Sequence, residues 1–252
     1  MQYELLGPLR LVESEFRAFN TPKVETLLAT LLIRANQPVS TDHLMLQLWG
    51  DSPPRRCRAA LHVYVSQLRK ALAGLSAGAV VRTHGQGYRL EADEDSIDSV
   101  RLRRLHEEGR MLLDDDPERA LAAFQEAVGL FRGPVLAGVG DGLFIGAFVR
   151  WAEETRLECR EAVAQCSLRV GRHRELIGDL SVWVDENPLN ETLREQLMLA
   201  LFRSGRRAEA LEVFQSARRA LREELGLDPR ATMYRLQAAI LRADADDFRV
   251  AS

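Results

Sequence analysis

The chain has 252 residues, 46% of them hydrophobic and 28% charged, with a formal net charge of -3. Such a composition belongs to an ordinary globular protein and excludes a disordered one, and the length suffices for two domains. The charge is uneven. Residues 1–90 hold eleven of the 34 Lys/Arg and six of the 37 Asp/Glu, an excess of five positive charges, whereas the remainder holds 23 against 31 and is negative by eight. A basic first part joined to an acidic second part predicts two domains with different partners. The three cysteines, Cys57, Cys159 and Cys166, are odd in number and form no CxxC, which points to a reducing compartment. The start, MQYELLGPLRLVE, is no signal peptide, and no apolar run approaches membrane-spanning length, so a cytoplasmic protein without membrane partners is expected.

The first predicted elements are two short strands, residues 3–6 and 9–12, separated by Gly7-Pro8. Thr21-Pro22 opens a helix, with Thr21 as N-cap and Pro22 in the first turn; Leu27, Leu28, Leu31 and Leu32 give its apolar face. Ser40 or Thr41 caps a second helix carrying Leu44, Leu48 and Trp49, which the loop GDSPP breaks. A third helix is predicted over residues 55–72. Leu61, Tyr64, Val65, Leu68 and Leu72 fall on its core side, while Arg55, Arg58, His62, Ser66, Arg69 and Lys70 gather on the other, within about one third of the circumference. Residues 80–90 then read as two strands around a glycine-rich tip, HGQG.

Residues 52–90 contain seven cations (Arg55, Arg56, Arg58, Arg69, Lys70, Arg82 and Arg89) and no acid. A single-sign patch in a negative protein is the electrostatic footprint of contact with a polyanion. An α-helix fits the DNA major groove, and a cation at a hairpin tip suits the minor groove. The bland alternative is a solvated basic face on a structural helix; within the hairpin, Tyr88 is expected to pack on the core and Arg82 to make the contact.

An acidic stretch at residues 91–95, EADED, is the expected boundary, giving domains over 1–93 and 97–245. The second part reads as wholly helical. Ala120-x3-Phe124-x2-Ala127 is matched by Ala210-x3-Phe214-x2-Ala217, the spacing of the second helix in tetratricopeptide repeats. The glycine-rich residues 133–146 are taken as an irregular insertion between helical hairpins. Stacked hairpins bind proteins; a purely structural or dimerising domain is the alternative.

Catalytic and metal motifs do not appear. His43, His62, His84, His106 and His173 have no ligand spacing, and neither GxxxxGK[ST] nor GxSxG occurs. Asp114-Asp115-Asp116 precedes a proline and reads as a helix start, where acids suit the dipole. No catalytic residue, metal or cofactor is assigned, and the chain is not expected to be an enzyme.

The segments LLATLLIRANQPVSTDHLMLQLWGDSPP, ALHVYVSQLRKAL and GQGYRL resemble the Streptomyces antibiotic regulatory proteins. The segments DPERALAAFQEAVGLFRGPVLAGV and NPLNETLREQLMLALFRSGRRAEALEVFQSARRALREELGLDP are similar to that family's bacterial transcriptional activation domain. The resemblance implies a mainly α fold with a small β part: an OmpR-like winged helix followed by an all-α, tetratricopeptide-like domain. It also implies an activator of secondary-metabolite genes. Such an activator binds direct repeats near the promoter -35 region as a side-by-side pair and recruits RNA polymerase through its sigma factor. On this chain the recognition helix is residues 55–72 and the wing residues 80–90. Lys23, Arg69, Lys70 and Arg82 are assigned to phosphates, and Arg58, His62 and Ser66 to bases, with Arg55, Arg56 and Thr83 completing the DNA-contacting set. Many members have Asn-Thr where this chain has Ala59-Ala60, which shifts weight onto Arg55, Arg56 and Arg58. A protein-interaction scaffold and a repressor stand as alternatives.

Overall fold

The computed structural model describes residues 3–12, 21–73 and 79–242. It is mainly helical with small sheets, as the sequence predicts. The chain divides into two compact units, one of residues 1–107 with 126–157, the other of residues 108–125 with 158–252.

The first unit opens with β1 (Tyr3–Glu4) and β2 (Arg10–Leu11), antiparallel with Tyr3 opposite Leu11. These strands are shorter than the sequence predicts, and the cause is a carboxylate. Asp98 accepts the amide of Leu5 at 2.8 and 2.9 Å and that of Leu6 at 2.9 Å, taking donors a longer ladder would have used. Helix α1 (Pro22–Ile33) begins as expected at Thr21-Pro22, although the Thr21 side chain makes no cap hydrogen bond. Its buried face includes Thr26 and Thr30, each of whose hydroxyls donates to the carbonyl four residues earlier, so neither is left unsatisfied.

A short strand, β3 (Val39–Ser40), precedes α2 (Thr41–Trp49). Ser40 is the N-cap, accepting from the His43 amide at 3.2 Å. Helix α3 (Cys57–Ala73) buries Leu61, Val65, Leu68 and Leu72. It begins two residues later than predicted, because Pro53 and Pro54 hold the chain out of helical geometry and Arg55 and Arg56 form the turn that follows. The hairpin β4 (Val80–His84) and β5 (Gly87–Glu91) follows, with β3 on the other side of β5, giving the order β3-β5-β4. The strand β3 is absent from the sequence prediction; two residues carry too little alternation to be seen. Gly87 makes its pairing possible, since a Cβ there would run into the Val39 carbonyl and lie 2.8 Å from Ser40 Cα.

A 3-10 turn at Glu94–Ser96 leads into α4 (Asp98–Leu112), α5 (Pro117–Gly129), α6 (Leu143–Arg169), α7 (His173–Glu186), α8 (Glu191–Arg203), α9 (Arg207–Leu225) and α10 (Ala231–Arg242). The acidic stretch thus carries the end of β5 and this turn. In the second unit Gly109 lets α4 approach α5 closely: an added Cβ would lie 2.7 Å from the Phe124 ring. Ala120, Phe124 and Ala127 are buried, as are Ala210, Phe214 and Ala217. A second repeat, in the turns between helices, is not among the predicted motifs. Arg169-x-Gly171-Arg172 recurs as Arg203-x-Gly205-Arg206, 34 residues on, with both glycines left-handed at φ +78 and +79. That is the tetratricopeptide period.

Asp98 is 2% exposed, and burial pushes its carboxyl up to about 6, against the lowering effect of the Leu5 and Leu6 amides and of Arg132. A native pKa above the unfolded value favours folding fully below about pH 4, and this contribution is lost as pH rises through about 6. Asp98→Asn keeps a carbonyl acceptor and cannot ionise. Its stability relative to the parent is expected to rise by about 2–3 kcal/mol between about pH 4 and pH 7.5, measured by urea unfolding. A constant difference across that interval contradicts the assignment.

Candidate nucleic-acid interface

Burying one side of α3 turns the other outward. Arg58, His62, Ser66, Arg69 and Lys70 are all exposed along it, and Arg55 and Arg56 are exposed in the turn before it. Arg82 and Thr83 are exposed on β4. The structure therefore brings nine of the ten predicted contact residues onto the outer surface of α3, the turn before it and the wing. Lys23 is the exception: it lies on α1, half-buried, and its ammonium donates to the Leu48 carbonyl at the end of α2.

These side chains are tied to their surroundings to different degrees. Arg69 bridges helix and wing. Its Nε donates to the Val81 carbonyl at 2.8 Å, another guanidinium nitrogen donates to Thr83 Oγ1 at 3.0 Å, and its charge lies 5.8 Å from the centroid of the Tyr88 ring. His62 Nδ1 and the Tyr88 hydroxyl are hydrogen-bonded at 2.8 Å, which leaves Nε2 as the ring nitrogen able to take a further partner. Tyr88 is buried, 4% exposed, as expected of the residue that fastens the wing to the core. Arg55, Arg56 and Lys70 have no ion pair among the described residues.

The acid-free stretch of sequence is not free of acids in space. Asp42 of α2 reaches Arg58 at 3.1 Å, and Glu91 pairs with Arg82 at 2.6 Å and with Arg89. Hydrogen bonds from Arg82 and then Arg89 hold the Glu91 carboxyl below the usual carboxylate range. Such surface pairs are weak and screened by salt, so a phosphate can replace the carboxylate at little cost.

Two uncharged residues outside the predicted contact set share this surface. Val63 is 54% exposed, and Gln67 is exposed one turn further along. At about 100° per residue Val63 stands at the margin of the basic arc and Gln67 about 60° beyond it. Their chemistry complements it, because an apolar group suits a thymine methyl and a carboxamide the N6/N7 edge of adenine. Among the described residues no three or more His, Cys, Asp or Glu group to hold a metal, and no helix is long and apolar enough to cross a membrane.

Arg69 is thus committed to the fold as well as to the surface. Arg69→Ala is expected to destabilise the chain by about 1–3 kcal/mol in urea unfolding, whereas Lys70→Ala stays within about 0.5 kcal/mol. Equal, small effects of the two would contradict the bridging role.

Residues 97–241 match the bacterial transcriptional activator domain, and residues 18–90 match the family described as transcriptional regulatory protein, C terminal. Regulatory protein DnrI of Streptomyces peucetius is 38% identical over 97% of this chain and 93% of its own length. Transcriptional regulator RedD of Streptomyces coelicolor is 35% identical over 97% of this chain and 71% of its own. Among solved structures, Mycobacterium tuberculosis EmbR in complex with a low-affinity phosphopeptide superposes with a TM-score of 0.84 at 32% identity, over 97% of this chain and 66% of that one. With two domain families matched in order and a relative similar over nearly its whole length, this chain belongs to the Streptomyces antibiotic regulatory protein family of transcriptional activators.

Proposed function

We propose that this chain is a sequence-specific DNA-binding activator that reads the major groove with α3 and contacts the flanking backbone with the β4–β5 wing. The observation that carries this is the outward basic side of α3, continuous with a wing locked to it by Arg69. In this account Arg58, His62 and Ser66 read bases. Arg55, Arg56, Lys70, Arg82 and the remaining donors of Arg69 hold phosphates, with Thr83 beside them. Lys23 is a phosphate contact through the ammonium hydrogens not given to Leu48.

Family membership extends the proposal. Residues 1–93 serve as the DNA-binding half and residues 97–245 as the activation half. Two copies sit side by side on direct repeats near the -35 region, and the activation half recruits RNA polymerase through its sigma factor to secondary-metabolite genes. The helical hairpins of the second unit, with their 34-residue repeat, support a protein-binding role for that half. Regulators of this family are not enzymes, and the interface described above holds side chains suited to hydrogen bonding and charge rather than to nucleophilic attack.

Base readers and phosphate holders are separable by measurement. Arg58→Ala and His62→Ala are each expected to cost about 1–3 kcal/mol on the best duplex and to relax preference at one position. Lys70→Ala is expected to weaken all duplexes alike and lower the salt slope by about 1. Fluorescence anisotropy at two salt concentrations checks both. Unchanged affinity and preference in Arg58→Ala and His62→Ala would rule out α3 as the reading helix.

A further inference from the structure

Helix α2 is attached at its two ends to different partners. At its amino end the Thr41 amide and hydroxyl both donate to the Gln86 carbonyl of the wing turn, at 2.9 and 2.7 Å, and Asp42 accepts from Arg58 of α3 at 3.1 Å. At its carboxy end Gln47, 5% exposed, accepts the Phe144 amide on its Oε1 at 2.7 Å. Phe144 is the second residue of α6, so a side chain of the DNA-binding segment caps a helix of the activation segment, where amides otherwise lack partners. The glycine-rich residues before α6 are shaped to allow this. A Cβ on Gly142 would lie 2.5 Å from Gln47 Oε1 and 3.1 Å from the Gln47 carbonyl oxygen, and one on Gly140 would lie 3.1 Å from Thr26 Oγ1. His43, one turn before Gln47, sets its ring 5.9 Å from that of Phe144, and Arg34 lies 5.6 Å from the same ring.

We propose that Gln47 is a positioning residue: it passes engagement of α3 and the wing by DNA, through α2, to the amino terminus of α6. This rests on the DNA-reading assignment above. The physical case has two parts. Helix α2 is one nine-residue rod, about 13 Å long, so a shift imposed at one end appears at the other. DNA acts at the amino end, because Arg58 must exchange Asp42 for the polyanion and the wing turn carries Gln86. The link at the far end is all-or-none, because a buried carboxamide oxygen deprived of the Phe144 amide has lost its one hydrogen bond among the described residues. No contact of Gln47 with DNA is required.

The test is hydrogen–deuterium exchange on the full chain, free and saturated with a duplex selected for tight binding to the parent. DNA is expected to slow exchange of the peptide covering residues 141–150 by about threefold or more in the parent. Gln47→Leu, which removes the acceptor, and Gly142→Ala, which displaces it from the other side, should bind the same duplex and lose this slowing. Gln47→Glu, which keeps an acceptor at the same atom, should restore it. Slowing that survives in both Gln47→Leu and Gly142→Ala overturns the proposal, as does a bound parent chain with no change at residues 141–150. A parent that binds no duplex at all overturns the DNA-reading assignment, and this proposal with it.

Discussion

The molecule's capacity to meet a polyanion depends on the burial of one apolar stripe. Leu61, Val65, Leu68 and Leu72 are each 3% exposed or less. At about 1.5–3 kcal/mol for each buried aliphatic side chain, rotating α3 to hide its arginines would forfeit more than any surface pairing could return. The basic side therefore faces solvent because the apolar side cannot. The wing inherits its place from the same helix. Arg69 reaches from α3 to the Val81 carbonyl and Thr83, and His62 meets the buried Tyr88, so helix and hairpin present one surface.

Charge on that surface is held in reserve by weak internal pairs. Asp42 and Glu91 stand against Arg58, Arg82 and Arg89, while Arg55, Arg56 and Lys70 have no such partner among the described residues. The paired arginines are oriented before a ligand arrives, which limits the side-chain freedom lost on binding. The carboxylates that orient them can be exchanged for phosphate oxygens, since exposed pairs are weak and screened by salt. Long-range attraction still comes from the local excess of cations in residues 52–90, which the acidic remainder of the chain does not share.

What could be read from the sequence was what local pattern controls. The apolar period of α3, the turn glycine of the wing and the Thr21-Pro22 helix start all depend on neighbours a few residues apart. The features that escaped depend on residues far apart in the chain. Asp98 meets Leu5 across 93 positions and Gln47 meets Phe144 across 97, and neither residue belongs to a motif. Residues 133–142 run irregularly between α5 and α6, as their composition suggests. That at Gly140 and Gly142 this backbone also comes close to Thr26 and Gln47 is something composition cannot distinguish from looseness. The start of α3 is not legible in the sequence because Arg55, in the preceding turn, has the same helical spacing as the face it precedes. The 34-residue repeat is carried by a short Arg-x-Gly-Arg turn, a weaker signal than the two alanine–phenylalanine motifs lying 90 residues apart.

The central claim is that this surface reads sequence rather than merely attracting anions. Selection of bound duplexes from a random pool, at near-physiological salt with competitor DNA, tests it most directly. The account predicts enrichment of one short element, repeated in the same orientation about one helical turn apart, with each wrong base costing about 1–3 kcal/mol. A pool that is retained by the protein yet shows no enriched sequence, and is released uniformly by salt, would contradict it.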